Sequence, residues 1–311
     1  MRICKVNNYA APARDAQGSQ RVLEALARQF KKDGHEVFLL LKKDSVCDFG
    51  TLVDEIPSDI DIVHYHGGFP YEYGHNHNFK WVTTSHGGAE PEYSSRLQEI
   101  KKSIDHIIFV SDFCAKMYSS NCFIHTCINE DDFVFSDKKD DYFLWMAGTD
   151  WGEGKGLLTS IMLAKKLGFK LKIAGSGNNK EIIQEIKINC SSKIEYLGFV
   201  NGKQKAELLS RAKALLMVGS ILDACPATNI EALASGTPVI ARNIGSHPEI
   251  VKEDVGFVCK NNLEIIKAII GIDKINPFKC RQYFEENFKI EKIAEQYIGA
   301  YNKMIEFGSV L

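Results

Sequence analysis

Short apolar segments rich in β-branched and aromatic residues alternate with amphipathic stretches of helical period along nearly the whole chain. That alternation is the signature of parallel βαβ units, and it restricts the fold to the α/β class before any motif is considered. Arg2 to Tyr9 reads as a first strand. Gly18 to Lys32 reads as a helix with Val22, Leu23, Leu26 and Phe30 on one face, closed by Gly34. Further strands are predicted at Glu36–Leu41, Ile60–Tyr65, Trp81–Ser85 and His106–Ser111. The alternation then restarts, with strands at Tyr142–Ala147, Leu171–Ala174, Ile194–Leu197, Ala214–Val218 and Pro238–Ala241. Helices are predicted near 156–167, 179–189, 203–211 and 227–235.

The length of 311 residues suits two domains of ordinary size. The polar, charged stretch Ser136 to Asp141 is the candidate linker, which predicts one doubly wound domain over 1–137 and a second over 138–289. Ile290, Ile293, Ala294, Tyr297, Tyr301 and Met304 share one helical face, so the segment 290–311 is expected to dock back on the first domain. Two such domains are expected to face each other across a cleft at the carboxyl ends of their strands, where a bipartite ligand would bind.

Composition excludes several classes of function. Lys plus Arg is 38 and Asp plus Glu is 40, so there is no basic excess to collect nucleic-acid phosphates. The longest apolar run, Tyr142 to Ala147, is far short of the roughly 20 residues a spanning helix needs. The N-terminal residues lack an apolar leader region, and the nine cysteines form no C-x-x-C pair. A cytoplasmic protein with reduced thiols is the expectation, and peripheral membrane contact stays open.

The most informative stretch is Ser220 to Ala241, SILDACPATNIEALASGTPVIA. Asp223 falls in the loop after a strand and Glu231 one turn inside the next helix. Pro226 suits that helix's first turn, and Thr228 and Asn229 sit where unpaired backbone N–H groups would meet an anion. A carboxylate beside such a helix start can accept hydrogen bonds from a vicinal diol of a ribose or sugar. The spacing is equally served by a loop aspartate and a solvated helix glutamate. A second stretch, MAGTDWGEGKGL (146–157), ends a strand in a glycine-rich loop with Lys155 at the start of a helix. It offers a backbone able to approach phosphate and a point charge for a diphosphate, but it is not a P-loop, because Gly156 follows Lys155. His86, directly after the strand Trp81–Ser85, would face the crevice, as would Gly18 at the first helix start. His64, His66, His75, His77 and His86 are close in sequence, yet their spacing fits no metal motif. Asp59 and Asp61 form a D-x-D pair at the end of the strand away from the crevice. With no G-x-G-x-x-G after the first strand, NAD or FAD binding is not expected.

Taken together, Asp223-x7-Glu231 followed by ALASGTPVI (232–240) resembles the E-x7-E signature of the retaining glycosyltransferases of family 4, which have the GT-B fold of two Rossmann-like domains. Other segments fall in that family's order: GHEV (34–37), DIVH (61–64), TSHG (84–87), DHII (105–108), GKG (154–156), IAGSG (173–177), LGFV (197–200) and GSHPEIV (245–251). The resemblance implies that Glu231 holds the ribose hydroxyls of a nucleotide and that Asp223 sits by the donor sugar. It implies that Lys155, with the amides around Thr228 and Asn229, binds the diphosphate. Gly148 and Gly18 would approach it, Phe199 would lie near the base, and His86 would contact the transferring sugar. It also implies a nucleoside-diphosphate sugar as co-substrate, no metal or other cofactor, and a glycan, lipid or small-molecule hydroxyl acceptor. Three departures stand out. The first carboxylate is Asp223 rather than Glu. Thr149 takes the place of the family's arginine, in a loop one residue longer, with Arg242 or Lys203 as candidate replacements. The chain is also short for the family, so trimmed acceptor loops are expected. These departures motivate two other readings: a catalytically weakened nucleotide- or glycan-binding relative, and a sugar-nucleotide epimerase using Glu90 and Glu92.

Overall fold

In a computed structural model, residues 1–12, 18–75, 78–87 and 95–311 are described; Glu90, Glu92 and His77 lie outside them. The described chain divides into two compact units, Met1–Asn129 with Phe288–Leu311, and Glu130–Asn287. The first contains β1 (Arg2–Val6), α1 (Gly18–Lys32), β2 (Glu36–Leu40), β3 (Thr51–Leu52), β4 (Ile62–His66), β5 (Trp81–Ser85), α2 (Ser95–Lys102), β6 (Ile107–Phe109) and α3 (Asp112–Met117). The second contains β7 (Phe143–Met146), α4 (Leu157–Leu167), β8 (Leu171–Ala174), α5 (Lys180–Asn189), β9 (Ile194–Gly198), α6 (Gly202–Arg211), β10 (Ala214–Met217) and α7 (Ala227–Ala234). It continues with β11 (Val239–Arg242), α8 (His247–Ile250), β12 (Gly256–Cys259), α9 (Asn262–Gly271) and α10 (Pro277–Asn287). The chain then returns to the first unit as α11 (Ile290–Phe307).

Each unit holds a six-stranded parallel sheet, in the orders β3-β2-β1-β4-β5-β6 and β12-β11-β10-β7-β8-β9. Both orders are the doubly wound 3-2-1-4-5-6 arrangement, in which the winding reverses between the first and fourth strands and a ligand site opens at their carboxyl ends. These switch points are β1/β4 and β7/β10, which are hydrogen-bonded neighbours. Central strands covered on both faces have no solvent side, which is why β7 (FLWM) and β10 (ALLM) are apolar and buried throughout. In the first unit α1 buries Val22, Leu23, Leu26 and Phe30 against Ile293, Tyr297, Tyr301 and Met304 of α11 in one core. Full burial of each such side chain contributes about 1.5–3 kcal/mol, so docking is the stable state of an apolar stripe this wide.

The unit boundary falls at Asn129/Glu130, earlier than the expected linker. Ser136 to Asp141 belongs to the second unit despite its charge. The Lys139 Nζ donates to Ser210 O (2.7 Å), Ser235 O (3.3 Å) and Thr237 Oγ1 (2.8 Å), and Asp140 N donates to Arg211 O (2.7 Å). A lysine that answers backbone carbonyls this way is an anchor, and burial pushes its ammonium down to about 8.

Candidate functional site

The second unit builds its site from the two loops that leave the β7/β10 switch point. One runs from Gly148 to Lys155; the other from Gly219 to Pro226 leads into α7. The glycines here serve packing of chain on chain. Gly156 has φ +77° and a Cβ there would lie 2.5 Å from Gly219 N, while a Cβ on Gly219 would lie 2.1 Å from Gly154 O. Ser220 N and Ile221 N both donate to Gly154 O at 3.0 Å, and Trp145 Nε1 donates to Lys155 O at 2.9 Å. At Gly156 and Gly219 the missing side chains let two loops touch, and this brings Lys155 to Asp223.

Lys155 Nζ forms a short ion pair with Asp223 Oδ1, and His247 Nε2 lies 3.5 Å from Asp223 Oδ2. Burial alone would push the Asp223 carboxyl up, but the hydrogen bond from His247 and the Lys155 charge outweigh it and hold it below the usual carboxylate value. Asn229 Nδ2 is 3.0 Å from His247 Nδ1. With the amide donating, His247 keeps its proton on Nε2 for Asp223, and Asn229 Oδ1 is left buried without a partner. Asn229 N donates to Pro226 O at 3.0 Å, so that amide is committed within the turn rather than free for an anion. Pro226 supplies no side-chain cap at the start of α7. Thr228 stands in this first turn, half-buried.

Glu231 is 4% exposed on α7, not solvated. Lys205 Nζ donates to its Oε1 at 2.6 Å, while Oε2 is buried with no partner among the described residues. Lys205 sits on the buried side of α6, 5.6 Å from the Phe133 ring centroid. An ion-paired carboxylate with one oxygen unanswered is a receptor for hydroxyl donors, since leaving such an oxygen desolvated costs about 1–3 kcal/mol. Thr149, where the arginine was expected, is fully buried and its Oγ1 also lacks a partner. A Cβ on Gly177 would lie 2.5 Å from that hydroxyl, so the loop after β8 closes over position 149 and leaves no room for a long side chain. Of the candidate replacements, Arg242 is bonded to Val218 O (3.3 Å) and Asn262 Oδ1 (2.9 Å), and Lys203 is exposed. Phe199 is exposed in the turn after β9, as is Trp151 after β7, with Gly148 packed at the edge of the Trp151 ring.

In the first unit, Gly18 opens α1 and is exposed. His86 follows β5, half-buried, with Nε2 3.4 Å from His66 Nδ1. His66 Nε2 is 3.0 Å and His64 Nδ1 3.2 Å from the Nζ of Lys5, which is fully buried on β1. Burial, with the Lys5 charge beside it, holds His86 down to about 4, and burial holds His64 and His66 well below the usual imidazole value. Among the described residues no group of three or more His, Cys, Asp or Glu side chains is placed to hold a metal. Asp59 and Asp61 engage Arg2 at the amino end of the sheet: Asp61 Oδ2 accepts Arg2 N (2.7 Å) and Asp59 Oδ1 pairs with Arg2 Nη2 (3.0 Å). No helix of the described residues is long and apolar enough to cross a membrane.

Lys205, His247 and Lys5 are the residues that sequence reasoning did not single out. A lysine on the apolar side of α6 and another inside the apolar strand ICKV were the available signals, because a buried amine requires partners.

Two doubly wound sheets, each with its polar residues gathered at the switch point, define the GT-B architecture. The likeness to solved structures agrees. AviGT4, a glycosyltransferase involved in avilamycin A biosynthesis, superposes with a TM-score of 0.79 at 23% identity, covering 98% of each chain. Anabaena Alr3699/HepE in complex with UDP superposes with a TM-score of 0.73 at 13% identity, covering 97% of this chain and 100% of that one. Residues 128–289, more than half of the chain, match the family model described as glycosyl transferases group 1, and the chain belongs to that family. An uncharacterized glycosyltransferase of Methanocaldococcus jannaschii, MJ1607, is 30% identical over 133 residues, 41% of this chain and 33% of that protein. The aligned region spans about a third of the length of the curated relatives it matches, 33% and 34%.

Proposed function

We propose that the protein transfers a sugar from a nucleoside-diphosphate donor to a hydroxyl acceptor, a glycan, lipid or small molecule, with retention of configuration and without a bound metal, as a member of family 4. The observation that carries this reading is Glu231: a buried carboxylate, ion-paired on one oxygen and unanswered on the other, one turn inside α7, the helix that follows β10. A ribose diol supplies the missing donors. Lys155 and the uncapped first turn of α7 offer positive charge to a diphosphate, which is the task a metal performs elsewhere. Asp223, held ionised by Lys155 and His247, is an acceptor for sugar hydroxyls. Phe199 offers a face to the base, Gly148 and Gly18 admit the diphosphate, and His86 acts on the transferring sugar. Cys4 and the other eight cysteines are free thiols, which supports a reducing, cytoplasmic setting.

A second reading, a binding protein of weakened activity, is favoured by Thr149 and by the occupation of both Asp223 oxygens. Both are tested by one experiment: incubation in EDTA with UDP-, GDP- and ADP-sugars, following nucleoside diphosphate release and the anomeric configuration of the product. Alr3699/HepE was crystallised with UDP-glucose, so the uridine series comes first. Release with one base class and a product of the donor's configuration is expected. Inverted product, or release that requires a divalent cation, contradicts the proposal, and binding without release selects the second reading.

A further inference from the structure

A lysine at the centre of an apolar sheet with no carboxylate beside it is a poor core filler, since methionine would fill the same volume without a desolvated amine. Lys5 is such a residue. It is fully buried on β1, its Nζ is 5.1 Å from the Phe30 ring centroid, and its hydrogen-bond partners are two imidazole nitrogens, His64 Nδ1 and His66 Nε2. The strand register explains the grouping. Lys5 pairs with His64 across β1/β4 and His66 with Thr84 across β4/β5, so alternation places Lys5, His64, His66, Thr84 and His86 on one side of the sheet.

The chemistry of the donors sets the direction of every bond. As an ammonium, Lys5 can only donate, and its three N–H groups cover both rings. His64 Nδ1 and His66 Nε2 are therefore acceptors, and each neutral ring carries its proton on the other nitrogen. For His64 that proton points to Thr84 Oγ1 at 2.8 Å, which continues to Tyr297 OH at 3.0 Å, while Tyr301 OH, at 2.5 Å, shares the single Nδ1 lone pair with Lys5. For His66 it lies on Nδ1, which faces His86 Nε2 at 3.4 Å between rings inclined by 21°.

We propose that Lys5 is a positioning residue that sets the tautomer of His86: donating to His66 Nε2, it makes His66 donate from Nδ1 to His86 Nε2, so that His86 offers a fixed Nδ1–H donor. Neutral rings are required, and burial with the Lys5 charge provides them. At the carboxyl end of β5 this turns His86 into a hydrogen-bond donor toward a sugar oxygen rather than a base. The catalytic meaning rests on the proposed function; the tautomer itself does not.

The test is long-range 1H–15N imidazole spectroscopy of the histidine-labelled chain at pH 6, where Lys5 is an ammonium and the three rings are neutral, with peaks assigned by His86→Gln. Wild type is expected to show His66 and His86 each as a single Nδ1–H tautomer. Lys5→Met is expected to convert His86 to a mixture of tautomers. Tyr301→Phe, which removes the other donor to His64, leaves His86 unchanged. His66→Phe retains Lys5 but breaks the next link and loosens His86 equally, so it decides the question if Lys5→Met does not fold. A wild-type His86 protonated on Nε2, or one unmoved by both Lys5→Met and His66→Phe, overturns the proposal. Absence of sugar transfer by wild type counts against the proposed function alone, because the spectra are read without substrate.

Discussion

Lys205 Nζ lies 2.6 Å from Glu231 Oε1, and Glu231 Oε2 beside it is buried with no partner among the described residues. The pair is thus half of a polar site: one oxygen is neutralised by α6, and the other awaits a donor that the second unit does not supply. Removing one partner of a buried ion pair typically costs about 3–5 kcal/mol, because the remaining charge stays desolvated. With the two side chains 13% and 5% exposed, Lys205→Met should fall near the lower end of that range. Urea unfolding of Lys205→Met and of Lys205→Met/Glu231→Gln checks this. The double variant should regain most of the lost stability and still fail to bind nucleotide.

Gly156 has its backbone in the left-handed region and its Cα against Gly219. Gly156→Ala should therefore destabilise the protein by at least about 2 kcal/mol, through strain and displacement of the 218–221 backbone. Because the same contact carries Lys155 to Asp223, nucleotide affinity should fall together with the midpoint of chemical unfolding. A variant with full stability and full affinity would show that the loops do not need this approach.

The buried histidines make the first unit acid-sensitive. His64, His66 and His86 have folded values depressed below 6.5, that of His86 to about 4, mainly by burial. Their neutral forms are fully compatible with folding above the unfolded value. As pH falls from about 6.5 toward 4 the unfolded chain binds protons that the folded one refuses, and stability drops by about 1.4 kcal/mol per pH unit for each histidine. Urea titrations between pH 7.5 and 5 should show this slope, and His66→Gln should reduce it by one proton's worth.

Lys5 gives the opposite window. Burial lowers its ammonium to about 7, so between there and the unfolded value of 10.5 the unfolded chain holds the extra proton and stability rises with pH. Below about 7 the penalty is fully present. Lys5→Met should thus raise Tm most in neutral and mildly acidic buffer, with the difference from wild type shrinking toward pH 10.5. A constant difference across that range would mean that Lys5 does not titrate as its burial requires.

Much of the fold was legible because its signals are local. The helix at Gly18–Lys32 and the strands at Trp81–Ser85 and Leu171–Ala174 stand where periodicity places them, and all six residues expected on the inner face of the C-terminal helix are buried. Asp223 and Glu231 were visible because one strand, loop and helix carry both. Lys205 and His247 were not, since their partners lie 26 and 24 positions away in sequence, on other elements, and only the folded second unit joins them. The stretch Ser136–Asp141 misleads for a related reason. A lysine that caps carbonyls of Ser210 and Ser235 has the same composition as one in a solvated linker. The glycine-rich loop 152–156 carried no signal of its packing partner, because Gly156 approaches Gly219, 63 positions away in sequence and on another loop of the same unit.

The central claim is that Glu231 is the ribose receptor of a metal-independent donor site. Thermal unfolding of metal-free wild type and Glu231→Ala with UDP, GDP, ADP and their sugar derivatives tests it most directly. A ligand that binds only the folded state stabilises by about 2.7 kcal/mol at a hundredfold excess over Kd. The account predicts a rise in Tm with one base class in EDTA, absent in Glu231→Ala. Equal shifts in both proteins, or none with any nucleotide, would contradict it.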